Sequence, residues 1–99
     1  MDIRIQSIHF DAAEKLQAFV QKKIGKLEKY CDEIRKVEVS LKVVKPETSK
    51  NKEAGIRVFV PNGDLYVEKV CDTFEEAIDE GVEALEKQLL KYKEKQRGK

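Results

Sequence analysis

The sequence predicts an α+β layer fold in the order β-α-β-β-β-α, with a four-stranded, mainly antiparallel sheet and two helices on one face. Three observations predict it. Four stretches alternate apolar and polar residues with period two, two stretches repeat apolar residues every three to four positions, and Asn62–Gly63 stands between two of the alternating stretches. A chain of 99 residues sustains one domain, read as residues 1–99, because each of two cores would bury too little apolar surface.

The first strand, Asp2–Ile8, sets Ile3 and Ile5 against Arg4 and Gln6. The period changes at Phe10–Asp11–Ala12–Ala13–Glu14, where Asp11 is placed to cap a first turn with Glu14 three residues on; a helix is expected from there to about Tyr30. Leu16, Phe19, Val20, Ile24, Leu27 and Cys31 form its core stripe. Residues 34–44 alternate Val37, Val39, Leu41 and Val43 with Lys36, Glu38, Ser40 and Lys42, a long strand with one wet face. Residues 45–53 are polar, contain Pro46 and read as a mobile hairpin loop. Residues 54–60 return through Ala54, Ile56, Val58 and Val60 to Pro61–Asn62–Gly63–Asp64, whose Asn-Gly pair suits a type I′ turn. In residues 65–71, Leu65 and Val67 point inward, while Lys69 breaks the alternation and suggests a bulge or an exposed strand end. Thr73 and Glu76 form a capping box for the last helix, in which Ile78, Val82, Leu85, Leu89 and Tyr92 keep the helical period and Gly81 marks a close approach to the sheet.

Composition excludes several classes. No run approaches the length of a membrane span, and the chain opens on a strand pattern, not a signal peptide, so a cytoplasmic protein is expected. Cys31 and Cys71 lack metal-ligand spacing, His9 is the one histidine, and all three read as structural, which implies no metal and no cofactor. No paired carboxylates with a histidine, no cysteine–histidine arrangement and no phosphate-cradling glycine loop can be picked out, so neither an enzyme nor a small-molecule substrate is expected.

Charge carries more information. Asp, Glu, Lys and Arg make up 39% of the chain, yet 20 bases against 19 acids leave a net charge of only +1, so position matters more than balance. On the first helix Lys15, Lys22, Lys26 and Lys29 fall on one face, with Lys23 at its edge. The last helix places Glu75, Glu76, Asp79, Glu80, Glu83 and Glu86 first and Lys87, Lys91, Lys93, Lys95, Arg97 and Lys99 afterwards. The helix macrodipole explains that order of signs, but it fades within a turn and does not require so many bases, so the pattern serves a solvated face and a binding face equally well. With both helices on one side of the sheet, the basic stripes would flank one groove, a positive track with the acids held at the other end. Lysine predominates over Arg4, Arg35, Arg57 and Arg97, which favours contact with backbone phosphate over reading of bases. Phe19 and Phe74 have core spacing; Tyr92 continues the core stripe, although its place near the chain end would also let it lie over a ribose or base. A protein-interaction module, docking through a strand edge or the acidic helix surface, is the alternative reading.

The chain resembles the short ribosome hibernation-promoting factors and ribosome-associated translation inhibitors of bacteria. The likeness runs through Lys23–Ile24–Gly25–Lys26–Leu27–Glu28–Lys29–Tyr30, Leu41–Lys42–Val43, Pro61–Asn62–Gly63, Ala77–Ile78–Asp79 and Lys87–Gln88–Leu89–Leu90–Lys91–Tyr92–Lys93–Glu94–Lys95. It implies a fold similar to double-stranded-RNA-binding domains and a partner, the small ribosomal subunit with its ribosomal RNA, on which the protein blocks messenger-RNA and transfer-RNA sites. It implies RNA contacts at Lys23, Lys26 and Lys29 and at Lys87, Lys91, Lys93 and Lys95, to which the pattern of bases adds Lys22 and Arg97. A C-terminal dimerisation domain is not expected, so pairing of ribosomes is expected to need a separate dimerising factor.

Overall fold

The computed structural model describes residues 1–8, 10–44, 50–61 and 63–97, the side chains of Gln96 and Arg97 excepted. The expectations for His9, for Pro46 and most of its loop, for Asn62 and for Lys99 lie outside the described residues. Along the chain come β1 (Asp2–Ile8), α1 (Glu14–Gly25), a 3-10 turn (Lys26–Lys29), β2 (Lys36–Val43), β3 (Lys52–Val60), β4 (Gly63–Cys71) and α2 (Phe74–Arg97). This is the expected β-α-β-β-β-α order. The strands lie side by side as β1-β2-β3-β4, with β1 parallel to β2 and the other two pairs antiparallel.

Strand alternation decides which face is covered. Val37, Val39 and Leu41 of β2, Ala54, Ile56, Val58 and Val60 of β3, and Val67 and Cys71 of β4 are buried against Val20, Ile24 and Leu27 of the first helical segment and Ala77, Ile78, Val82, Leu85 and Leu89 of α2. Each such Val, Ile or Leu contributes about 1.5–3 kcal/mol by leaving water. Gly81 lets α2 lie close to the sheet: a Cβ there would stand 2.8 Å from Ile56 Cδ1.

Register fixes the direction of both helices. Ile8, Lys42, Glu53 and Val70 form one row across the sheet, so β1 and β4 end at the same side of the molecule and α1 and α2 start from that side and run back together. The rings of Phe10 and Phe74, stacked 5.0 Å apart at 6°, join the two helix starts.

Several local expectations are corrected. Asp11 does not cap α1; the N-cap is Ala13, which offers no side-chain bond, and the Gln17 side chain donates to the Ala12 carbonyl at 3.0 Å. The Phe10–Phe74 stack holds the preceding segment by tertiary contact, which outweighs the local capping preference. The α-helix stops at Gly25 and tightens into the 3-10 turn, so Lys26 and Lys29, three apart, eclipse each other. The loop expected over residues 45–53 is shorter, because Val44 N–H donates to the Asn51 carbonyl at 2.8 Å and Lys52 and Glu53 already belong to β3. At the next hairpin Val60 pairs with Gly63, so Pro61 and Asn62 form the connection. The type I′ expectation rests on Asn62 and so lies outside the described residues. Gly63 itself adopts φ 153°, a region side chains rarely allow. No bulge occurs at Lys69; it pairs with Ala54 in unbroken register, and its inward position is half-buried beside α2. By contrast Thr73 caps α2 as expected, its Oγ1 accepting the Glu76 N–H at 3.1 Å.

Candidate nucleic-acid interface

Because α1 and α2 run side by side, the last turn of α1 and the 3-10 turn after it face the acidic half of α2. Lys23 is half-buried, with Nζ 3.1 Å from Asp79 Oδ1 and 5.5 Å from the centre of the Phe19 ring. Lys26 is exposed and shares with Lys23 a depression of about 390 Å³ that Asp79, Val82, Glu83 and Glu86 also line. The groove between the helices is therefore mixed in charge. The expected positive track with acids held at its other end is corrected here: both helices start from one side, so the acids of α2 lie beside the lysines of α1 and not beyond them. Lys22 and Lys29 are exposed.

The lysines of α2 divide between sides of the helix. Lys87, Lys91 and Lys95 stand four residues apart and drift by only about 40° per step, whereas Lys93 lies roughly 200° around the axis from Lys91. Lys87 shares a depression of about 310 Å³ with Lys69, Glu80, Glu83 and Ala84. Lys91 and Lys95 line another, of about 250 Å³, with Leu65, Gln88 and Tyr92. All four of these lysines are exposed, and the Arg97 side chain lies outside the described residues. The structure thus brings together Lys23 with Lys26 and Lys91 with Lys95, and leaves Lys93 apart from the Lys87–Lys91–Lys95 row.

Sequence reasoning missed three neighbours. Lys69 joins Lys87 beside two carboxylates, and its signal was a base at an inward position of a strand. Gln88 is half-buried in α2 and lines the same depression as Leu65 of β4; an amide at the margin of an apolar stripe was the signal for Gln88. Tyr92 packs half-buried against the core, and burial raises its hydroxyl pKa, with Glu33 and Cys31 adding to the effect.

The opposite face of the sheet is open. A depression of about 500 Å³ is lined there by Arg4, Gln6, Glu38, Ser40, Gly55, Arg57 and Tyr66 among others. Tyr66 lies across Gly55, where a Cβ would meet its hydroxyl oxygen at 2.6 Å, and Arg57 covers the ring at 4.7 Å while pairing with Asp64. Signs are mixed on this face as well. Cys31 and Cys71 are free, buried thiols, and burial together with the neighbouring Glu80 pushes the Cys71 thiol up to about 11, so it stays neutral at ordinary pH. Among the described residues no group of three His, Cys, Asp or Glu is placed to hold a metal, and no helix is long and apolar enough to cross a membrane.

Comparison with known proteins bears on what these surfaces meet. The family described as sigma 54 modulation protein / S30EA ribosomal protein matches residues 3–97. The ribosome hibernation promoting factor of Escherichia coli K12 is 33% identical over 95 residues, covering 96% of each chain. That of Pseudomonas putida is 30% identical over 96 residues, covering 97% of this chain and 90% of the relative. Among solved structures, the N-terminal domain of Thermus thermophilus Protein Y superposes with a TM-score of 0.80 at 26% identity, covering 93% of this chain and 99% of that one. A ribosomal subunit interface protein of Coxiella burnetii, 24% identical, shares the fold with a TM-score of 0.84, covering 94% and 98%.

Proposed function

Because this chain belongs to the sigma 54 modulation protein / S30EA ribosomal protein family, we propose that it is a ribosome hibernation factor that binds the small subunit through ribosomal-RNA phosphates and blocks messenger-RNA and transfer-RNA sites by occupying them. Such an activity is steric: it needs affinity and shape, not a reaction. It implies a cytoplasmic protein that inhibits translation and preserves idle ribosomes.

The observation that carries the RNA reading is the row Lys87, Lys91 and Lys95, exposed along α2 and ending in a depression whose lining, among the described residues, holds lysines and no carboxylate. Lysine ammoniums are compact point charges suited to phosphate oxygens, and they position a protein on RNA without reading its sequence. Lys22, Lys26 and Lys29 add contacts from the first helical segment, and Lys93 would add a separate one from the other side of α2. Lys23 comes to the surface with its charge matched by Asp79, so its first role is to hold α1 against α2.

Sedimentation tests this reading. Replacing Lys26, Lys29, Lys87 and Lys91 by Glu should abolish co-sedimentation with small subunits on a sucrose gradient while the circular dichroism spectrum stays unchanged. Wild-type affinity should also fall steeply with salt, as counterions released from phosphate demand. Unchanged sedimentation of the quadruple variant rejects the surface. One observation favours a second reading: the carboxylates Asp79, Glu83 and Glu86 in the groove between the helices suit a basic protein segment. Partner capture that survives both ribonuclease and added salt would select that reading.

A further inference from the structure

Of three depressions along α2 among the described residues, the one at its far end differs in chemistry. Among the described residues, Leu65, Gln88, Lys91, Tyr92 and Lys95 line it without a carboxylate, whereas the other two hold Glu80 and Glu83, or Asp79, Glu83 and Glu86. We propose that this depression is a subsite for one unstacked RNA base, with Lys91 and Lys95 holding the phosphates on either side of it. The proposal rests on the RNA reading above and adds to it which part of the RNA enters the protein.

Four features point to a base. The depression, about 250 Å³, is smaller than the roughly 300–1,000 Å³ of sites for drug-sized ligands and suits a single planar ring system. Its apolar walls come from different elements: Leu65 stands on β4, and the Tyr92 ring on α2 is held half-buried against the core, so its orientation is set before any ligand arrives. Gln88 adds an amide that both donates and accepts, enough to satisfy a base edge without selecting one base. Outside, Lys91 and Lys95 are separated by about 6 Å of helix rise, comparable to the step between successive phosphates on an extended strand. Stacking on an aromatic ring flanked by bases is how sequence-tolerant single-strand sites work in general.

The test uses the intact chain and two probes, the dinucleotide adenylyl-(3′→5′)-adenosine and ribose 5-phosphate, followed by nuclear magnetic resonance. The dinucleotide should shift the Leu65 methyl and Tyr92 ring signals and ribose 5-phosphate should not. Equal shifts with both probes would mean phosphate binding alone, and no shift at Leu65 and Tyr92 with the dinucleotide would mean no base enters; either result overturns the proposal. On purified small subunits, Tyr92→Leu should weaken binding by roughly five- to a hundredfold, the range of a lost base–aromatic stack, at an unchanged salt slope. Tyr92→Phe keeps the ring and should recover most of that loss, while Lys91→Gln should flatten the salt slope by about one. A chain that sediments with subunits but fails the resonance test loses only the base subsite; a chain that does not sediment with them loses the RNA reading itself.

Discussion

The two halves of α2 obey the same electrostatic rule and end in different circumstances. In residues 74–86 the acids stand near the helix N-terminus, and in residues 87–97 the bases stand near its C-terminus, both as the macrodipole prefers. In the first half, however, the charges have neighbours of opposite sign: Asp79 pairs with Lys23 at 3.1 Å, and Glu80 and Glu83 share a depression with Lys69. In the second half, Lys91 and Lys95 share theirs with apolar and neutral groups. The first half therefore ties α2 to α1 and β4, and in the second half Lys91 and Lys95 stand exposed beside neutral groups. A charge pattern alone does not separate these roles; the neighbours do.

The sharpest test of that division lies at its seam. Leu89 is fully buried and Leu90 about half exposed. Leu89→Ala should cost about 2–5 kcal/mol in urea unfolding, and Leu90→Ala no more than about 0.5 kcal/mol. Similar losses would break the comparison by showing that the outward side of the far half is packed as firmly as its core side. Next comes alkaline pH. The fold raises the Cys71 thiol from 9.0 to about 11, first through burial and then through Glu80 of the near half. The folded chain thus holds that proton more tightly than the unfolded one, so this contribution to stability is complete below pH 9 and is lost as pH rises through 11. Urea midpoints measured against pH should fall across that window, and less so in Cys71→Ala.

A smaller effect is expected at the start of α2. Thr73→Ala removes the cap on Glu76 N–H and should cost about 1 kcal/mol, with affinity for small subunits unchanged when measured well below the unfolding temperature. The smallest is at the pair between helices. Asp79→Asn should cost less than about 1 kcal/mol, since Asp79 is half exposed and the pair is partly screened. It should also tighten subunit binding modestly by releasing the Lys23 ammonium. Weaker binding would show instead that Lys23 must stay paired for the surface to keep its shape, which would tie the two halves together.

Most of the fold was legible because alternation and helical period are local signals. The Val37–Val43 and Ala54–Val60 rows and the Thr73 box needed only their own neighbours to be read. Misreadings arose where a distant contact decided. Asp11 had the right spacing for a cap, but the Phe10–Phe74 stack set the start of α1 elsewhere. Lys69 looked like a break in β4 because it is charged, although an inward lysine stays within the strand period when its stem lies against apolar surface and its head meets solvent and acids. The candidate site was legible as a list of lysines and not as an arrangement. The partner of Lys23 is on another helix, and the walls around Lys91 and Lys95 come partly from β4, neither of which spacing within one helix reveals.

The parallel pairing of β1 with β2 bears on how the chain assembles during its own synthesis. β2, β3 and β4 follow one another as hairpins, so each meets its neighbour as soon as the next is made. β1 is translated first and must wait: Ile3 and Ile5, opposite Val37 and Val39, stay uncovered until all of α1 and most of β2 have left the exit tunnel. The nascent chain thus keeps its first strand exposed longest, and charged and polar Arg4 and Gln6, set between and beside those isoleucines, limit its tendency to pair with another chain in the meantime.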